Sequence, residues 1–142
     1  MGKRFDSLVF PGGKSRAFTL SYDDGVVQDR RLAEIFRKRG LKCTFNIGSG
    51  LFGHKDGGNF PGRPPLDLSK LSAEEAKTVY AGHEIAGHSL FHSDLSGVGT
   101  PLAMYEVIED KRRLEELTRK PLKMFAYPFG THNADTRELL RL

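Results

Sequence analysis

The stretch Gly82-His83-Glu84-Ile85-Ala86-Gly87-His88-Ser89-Leu90-Phe91-His92 constrains the chain most, because it sets two imidazoles, His88 and His92, four residues apart among glycines that disfavour a helix interior. Neutral imidazole is the commonest protein ligand for a metal. Two histidines rarely complete a site, so a third ligand should come from elsewhere in the chain. Asp23-Asp24-Gly25, directly after the apolar run Ala17-Phe18-Thr19-Leu20, is the candidate. His83 and Glu84 suggest a zincin helix only superficially. That motif wants its second histidine four residues on, where Gly87 stands, and His88 comes one position too late.

The rest of the chain reads as strands alternating with helices. Ala17 to Tyr22 is expected as a short buried strand closed by Asp-Asp-Gly, with Gly25 supplying a positive φ. A helix is expected from about Asp29 to Arg39, with Leu32, Ile35 and Phe36 on its inner side and Gly40 as its stop. Cys43 to Ile47 is a second strand. Ser72-Ala73-Glu74-Glu75 is a capping box opening a helix to about Ala81, which Gly82 ends. Glu84 to His88 is a third strand. Thr100 as N-cap and Pro101 at the first helical position open an amphipathic helix through Leu102, Tyr105, Ile108, Leu114 and Leu117. Met124 to Tyr127 makes a fourth strand before Pro128-Phe129-Gly130, and a last helix starts near Asn133. This alternation argues for an α/β fold of parallel strands with crossover helices, as an open sheet or a barrel. Both designs place chemistry at the C-terminal ends of the strands, where Asp23 and Asp24, His88 and His92, and the 127–130 turn all fall.

Composition excludes several classes. The length, 142 residues, suits one domain with a real core, and nothing reads as a linker. The single cysteine, Cys43, permits no internal disulfide, which fits a reducing compartment. The start Met1-Gly2-Lys3-Arg4-Phe5-Asp6 has no signal-like apolar run, and no stretch has the roughly 20 apolar residues of a membrane span. A cytoplasmic protein without membrane partners is therefore expected. The net charge of +4 sits on basic side chains mixed with acids along amphipathic segments, which reads as solvated helix faces and not as a nucleic-acid surface. Gly48-Ser49-Gly50-Leu51-Phe52-Gly53 matches a dinucleotide-binding pattern and follows a strand. The segment after it, rich in glycine and proline through Pro65, cannot supply the required helix. A nucleotide-binding α/β domain using Gly48 to Gly53 thus stands only as an alternative.

Asp24, His88 and His92 together offer two nitrogens and one oxygen, leaving positions open for water and substrate as a catalytic zinc site requires. Asp23 beside them could take the proton of an attacking water. The reaction class is metal-assisted hydrolysis of an amide or ester. His-His-Asp also suits cobalt, nickel and iron.

Ser21-Tyr22-Asp23-Asp24-Gly25 resembles the first motif of the polysaccharide deacetylases, the carbohydrate esterase group sharing the NodB homology domain. His88-Ser89-Leu90-Phe91-His92 resembles the second, and Phe125-Ala126-Tyr127-Pro128-Phe129-Gly130 is similar to the third. The resemblance covers the chain from about Ala17 to its end. It implies a distorted (β/α) barrel holding a divalent metal, usually zinc, that removes N- or O-acetyl groups from a sugar polymer, oligomer or related amide. Carried over, Asp23 is the general base and Asp24, His88 and His92 hold the metal. The Phe129 N–H would help bind the tetrahedral oxyanion, an interaction worth about 3 kcal/mol where one such donor has been removed in other enzymes.

Two departures accompany the resemblance. Ala126 stands where many members carry an arginine that orients the base, so that orientation must come from elsewhere. The later motifs, including a histidine that protonates the leaving group, would lie beyond Leu142, so the chain reads as a single deacetylase-like domain over 1–142 lacking its C-terminal third. His54 and His132 lie on the right face but match no acid of the family. An open barrel edge would invite self-association. A catalytically incomplete fragment that binds metal and carbohydrate without turnover is the other alternative.

Overall fold

The structure, a computed structural model, describes residues 10–141. The reading of the N-terminal segment Met1 to Asp6 lies outside them. Three parallel strands form the central sheet in the order β1 (Ser21–Asp23), β2 (Thr44–Ile47), β5 (Glu84–Gly87). Helix α1 (Asp29–Lys38) connects β1 to β2. The longer connection from β2 to β5 carries a 3-10 turn at Ser49–Leu51, a two-stranded antiparallel hairpin of β3 (Gly57–Gly58) and β4 (Leu66–Asp67), and helix α2 (Ala73–Val79). Helices α3 (Thr100–Thr118) and α4 (Ala134–Leu139) follow. The expected parallel α/β arrangement with crossover helices is present, as an open segment of a barrel.

Local chemistry explains most element boundaries. The Ser72–Glu75 capping box is complete, each residue's side chain meeting the other's backbone N–H. Asn133 and Thr136 make the same reciprocal arrangement at the start of α4. On α1, Asp29, Ala33 and Phe36 turn inward, while Ile35, expected inside, is 44% exposed. The core gathers Ala33, Phe36, Cys43, Phe45, Ile47, Leu71, Ala76, Tyr80 and Leu114, with the Phe45 and Tyr80 rings 4.4 Å apart. Cys43 is a buried free thiol, as its apolar run implied. At the edge of this core the Tyr80 hydroxyl donates to Asp29 Oδ2 at 2.7 Å. Burial outweighs that bond and pushes the Asp29 carboxyl up to about 6.

Four sequence expectations need correction. The first strand is short and its residues are exposed, with Phe18 outside it and 77% exposed. It is the edge strand, paired only on its β2 side among the described residues. Thr100 is the first residue of α3 and Gly99 its N-cap. The buried stripe of α3 is Ala103, Glu106, Val107, Asp110 and Leu114, whereas Leu102, Tyr105 and Ile108 face outward at about half exposure. Two carboxylates inside that stripe disguise it as a polar face. The fourth strand reduces to a single parallel bridge between Gly87 and Phe125, flanked by Pro121 and Pro128, which cannot donate to a ladder. Among the described residues no helix is long and apolar enough to cross a membrane.

Candidate metal centre

The β1 exit supplies both carboxylates. Asp23 closes the strand opposite Asn46 of β2, and the Asp24 N–H donates to the Asn46 carbonyl at 2.9 Å. The chain then turns through positive φ at Asp24 (79°) and Gly25 (65°). A side chain at Gly25 would also press on Ile47, 3.0 Å from a Cβ placed there, so glycine is required twice over.

The β5 exit supplies the imidazoles. His88 is buried, and its N–H donates to Asp110 Oδ2 at 3.2 Å. Its Nδ1 lies 2.8 Å from the Ala126 carbonyl. A carbonyl can only accept, so Nδ1 carries the proton and Nε2 is left with its lone pair, as a metal ligand needs. Ala126 therefore serves through its backbone, orienting a histidine. Its N–H also donates to the Gly87 carbonyl at 2.9 Å. The loop continues through positive φ at Ser89 and His92. It is held by Ser93 N–H on Ser89 Oγ at 2.9 Å and Phe91 N–H on Glu106 Oε2 at 2.8 Å.

These two exits bring Asp24, His88 and His92 together, one ligand atom from each lying within 4.8 Å of the others. His92 Nε2 and Asp24 Oδ1 are 3.5 Å apart. Ligands at zinc distances around a tetrahedral ion stand about 3.4 Å apart, so that pair is already spaced for a shared ion. Burial holds the His92 imidazole below its ordinary pKa against the opposing pull of Asp24, which keeps its nitrogen available as a donor near neutrality. The donor set, the tautomer of His88 and the spacing fit a divalent metal. His83, in contrast, sits at the opposite end of β5 with its ring edge-on to Phe45 at 5.5 Å.

The third exit supplies Phe129. It lies in a tight turn at φ 59°, is largely exposed, and packs its ring edge-on to His92 at 4.5 Å. Its N–H makes no hydrogen bond among the described residues. Among the described residues five non-glycine positions have positive φ, and four of them, Asp24, Ser89, His92 and Phe129, surround this centre. Strain of that kind persists where the surroundings fix it, and it concentrates at functional sites.

Several residues here carry no sequence signal that singled them out. Lys70 reaches in from the segment bridged to Val26 and sets its Nζ 3.6 Å from Asp24 Oδ1. Asp110 and Glu106 project from α3 to hold the histidine loop, and burial pushes the Asp110 carboxyl above its ordinary value. The Gly48–Gly53 stretch braces the same loop. A Cβ at Gly48 would meet the Ser89 carbonyl at 2.5 Å, and one at Gly50 the Leu90 carbonyl at 2.6 Å. Ser49 donates both its N–H (2.7 Å) and its hydroxyl (2.6 Å) to Asp110. The glycines are there for close packing, and the turn is a single 3-10 turn with no phosphate-facing helix start. His54 and His132 are exposed, and neither joins the ligand cluster.

A parallel α/β sheet on a barrel segment, with an Asp-His-His cluster at its C-terminal edge and a second carboxylate beside it, makes a candidate metal centre. The chain belongs to the polysaccharide deacetylase family, whose model matches residues 11–142. No curated protein sequence matches it. Among solved structures it is similar to a Streptococcus pyogenes deacetylase, PplD, determined in complex with acetate, at 22% identity and TM-score 0.73, over 87% of this chain and 50% of that one. IcaB from Ammonifex degensii aligns at 21% identity and TM-score 0.69, over 87% and 55%. A family 4 carbohydrate esterase from Streptomyces lividans, also in complex with acetate, aligns at 20% identity and TM-score 0.63, over 85% and 55%. These likenesses establish the NodB-type fold, and the chain spans about half the length of the structures it matches.

Proposed function

We propose that this chain carries the metal centre of a hydrolase that removes N- or O-acetyl groups from a polysaccharide or oligosaccharide. The observation that carries the reading is the convergence of Asp24, His88 and His92 beside Asp23, at the ends of the two strands that flank β2. Asp24, His88 and His92 would hold a divalent metal, zinc being the best match to two nitrogens and one oxygen. Such an ion polarises an acyl oxygen and lowers the pKa of water bound to it to about 7.

The protein's own groups divide the remaining work. Asp23 accepts the proton of the attacking water as its oxygen bonds to the acetyl carbon. The Phe129 N–H, without a partner among the described residues and presented by its left-handed turn, donates to the oxygen on which charge develops. The C–N or C–O bond then breaks as the proton held by Asp23 passes to the departing nitrogen or oxygen, and acetate and the deacetylated sugar leave. Support for an acetylated sugar substrate comes from family membership.

The test is acetate release from acetylated chito-oligomers by the zinc-loaded chain and by its Asp23→Asn variant. Release by the parent, abolished in the variant while zinc stays bound, supports the reading. Equal release by the variant removes Asp23 from the mechanism. Stoichiometric zinc with no release by the parent favours the alternative of a binding chain without turnover.

A further inference from the structure

Asn46 is a polar side chain in the middle of the central strand, 3% exposed, between the buried Phe45 and Ile47. An amide in such a place is costly unless its hydrogen-bonding groups are used. Its Nδ2 donates to Asp23 Oδ1 at 2.6 Å and to Ser21 Oγ at 2.8 Å. The orientation of the amide is fixed by chemistry, since the opposite flip would set its carbonyl oxygen against a carboxylate. Both amide protons are thus committed, one to the carboxylate and one to a hydroxyl two residues before it on the same strand. The backbone of Asn46 acts as well, its carbonyl receiving the N–H of Asp24. One residue of β2 therefore holds both the Asp23 carboxylate and the Asp24 backbone at the β1 exit. Among the described residues Asp23 Oδ2 makes no hydrogen bond, which leaves that oxygen for the water.

From this geometry we propose that Asn46 is the positioning residue for Asp23, holding its carboxylate by Oδ1 so that Oδ2 faces the reacting water. The proposal rests on the reading of Asp23 as the base. Ser21 is the second anchor, preventing rotation of the Asn46 amide. β1 is an exposed edge strand with no other described neighbour to hold its side chains, so the rigidity of the base comes from β2.

The experiment compares the zinc-loaded chain with Asn46→Leu, an apolar side chain of similar size, and with Asn46→Ala should the first variant fail to fold. Acetylated chito-oligomers are the substrate, and Asp23→Asn runs in parallel. Loss of an outer-shell partner of this kind lowers activity by about 10- to 100-fold. That loss is expected in kcat, with KM changed less than about twofold and zinc content unchanged, because bulk binding does not depend on the carboxylate's orientation. A second readout needs no turnover. The chain has three asparagines, Asn46, Asn59 and Asn133, so 15N-asparagine labelling resolves the Asn46 side-chain amide. Its protons should exchange slowly in the parent and lose that protection in Asp23→Ala.

A kcat within about threefold of the parent in the Asn46 variant, with Asp23→Asn inactive, overturns the positioning role and leaves the base reading intact. An active Asp23→Asn overturns both. If the parent releases no acetate, the amide decides. Protection that Asp23→Ala removes supports the pairing, and exchange as fast as that of exposed Asn59 overturns it.

Discussion

Replacing Asp110 by alanine would strand three donors inside the protein. The carboxylate is fully buried and accepts the Ser49 N–H at 2.7 Å, the Ser49 hydroxyl at 2.6 Å and the His88 N–H at 3.2 Å. A buried donor left without a partner costs about 1–3 kcal/mol. The Ser49 hydroxyl can rotate toward another acceptor, but the two backbone N–H groups cannot. Asp110→Ala should therefore destabilise the chain by about 2–6 kcal/mol, a large part of the roughly 5–15 kcal/mol that holds a domain together. Asp110→Asn should cost less, about 1–3 kcal/mol, since its amide oxygen can keep the Ser49 donors and only His88 loses its acceptor. Urea unfolding followed by far-ultraviolet circular dichroism measures both. A Ser49→Ala background completes a double-mutant cycle, with a coupling of about 1 kcal/mol expected. An Asp110→Ala protein within 1 kcal/mol of the parent, or more stable than Asp110→Asn, would refute this account of how α3 holds the histidine loop.

Gly50→Ala should destabilise by about 1–3 kcal/mol and weaken zinc binding. The new Cβ would collide with the Leu90 carbonyl, which already accepts the Gly50 N–H at 2.9 Å. Thermal melting and chelator competition would show it, and an unchanged protein would mean the two loops can part freely. Asp29 predicts a pH effect. Its carboxyl is raised to about 6 in the folded chain, against a value near 4 when unfolded. Between about pH 4 and 6 the folded state binds more protons than the unfolded one, so this group's contribution to stability falls as pH rises through that window. Asp29→Asn should remove that decline, seen as a difference between the two melting-temperature profiles. Parallel profiles would mean Asp29 does not titrate there.

The cluster of Asp24, His88 and His92 was legible in the sequence because its residue types are written locally. Asp-Asp-Gly after an apolar run and two imidazoles among glycines both need residue types that a plain turn does not. Capping at Ser72 was legible for the same reason, since all its partners lie within one helical turn. What escaped depends on register. Asn46 lies in the run Cys43 to Ile47, which reads as a core strand, and only its pairing with Asp23 gives the amide a purpose. Asp110 and Glu106 read as the solvated side of α3, and the histidine loop packed above them makes them its inner face. Lys70 has no local signal at all. It approaches Asp24 through the Val26 bridge, far along the chain. The fourth strand was overread because apolar content cannot show whether a neighbouring strand will pair.

The central claim is that Asp24, His88 and His92 hold one metal ion. Elemental analysis of the chain after zinc reconstitution and buffer exchange, beside His88→Ala, tests it most directly. The account predicts about one equivalent of zinc in the parent and its loss in the variant, because removing one of three protein ligands leaves too few to retain the ion. No zinc in the parent, or an equal amount in both proteins, would contradict it.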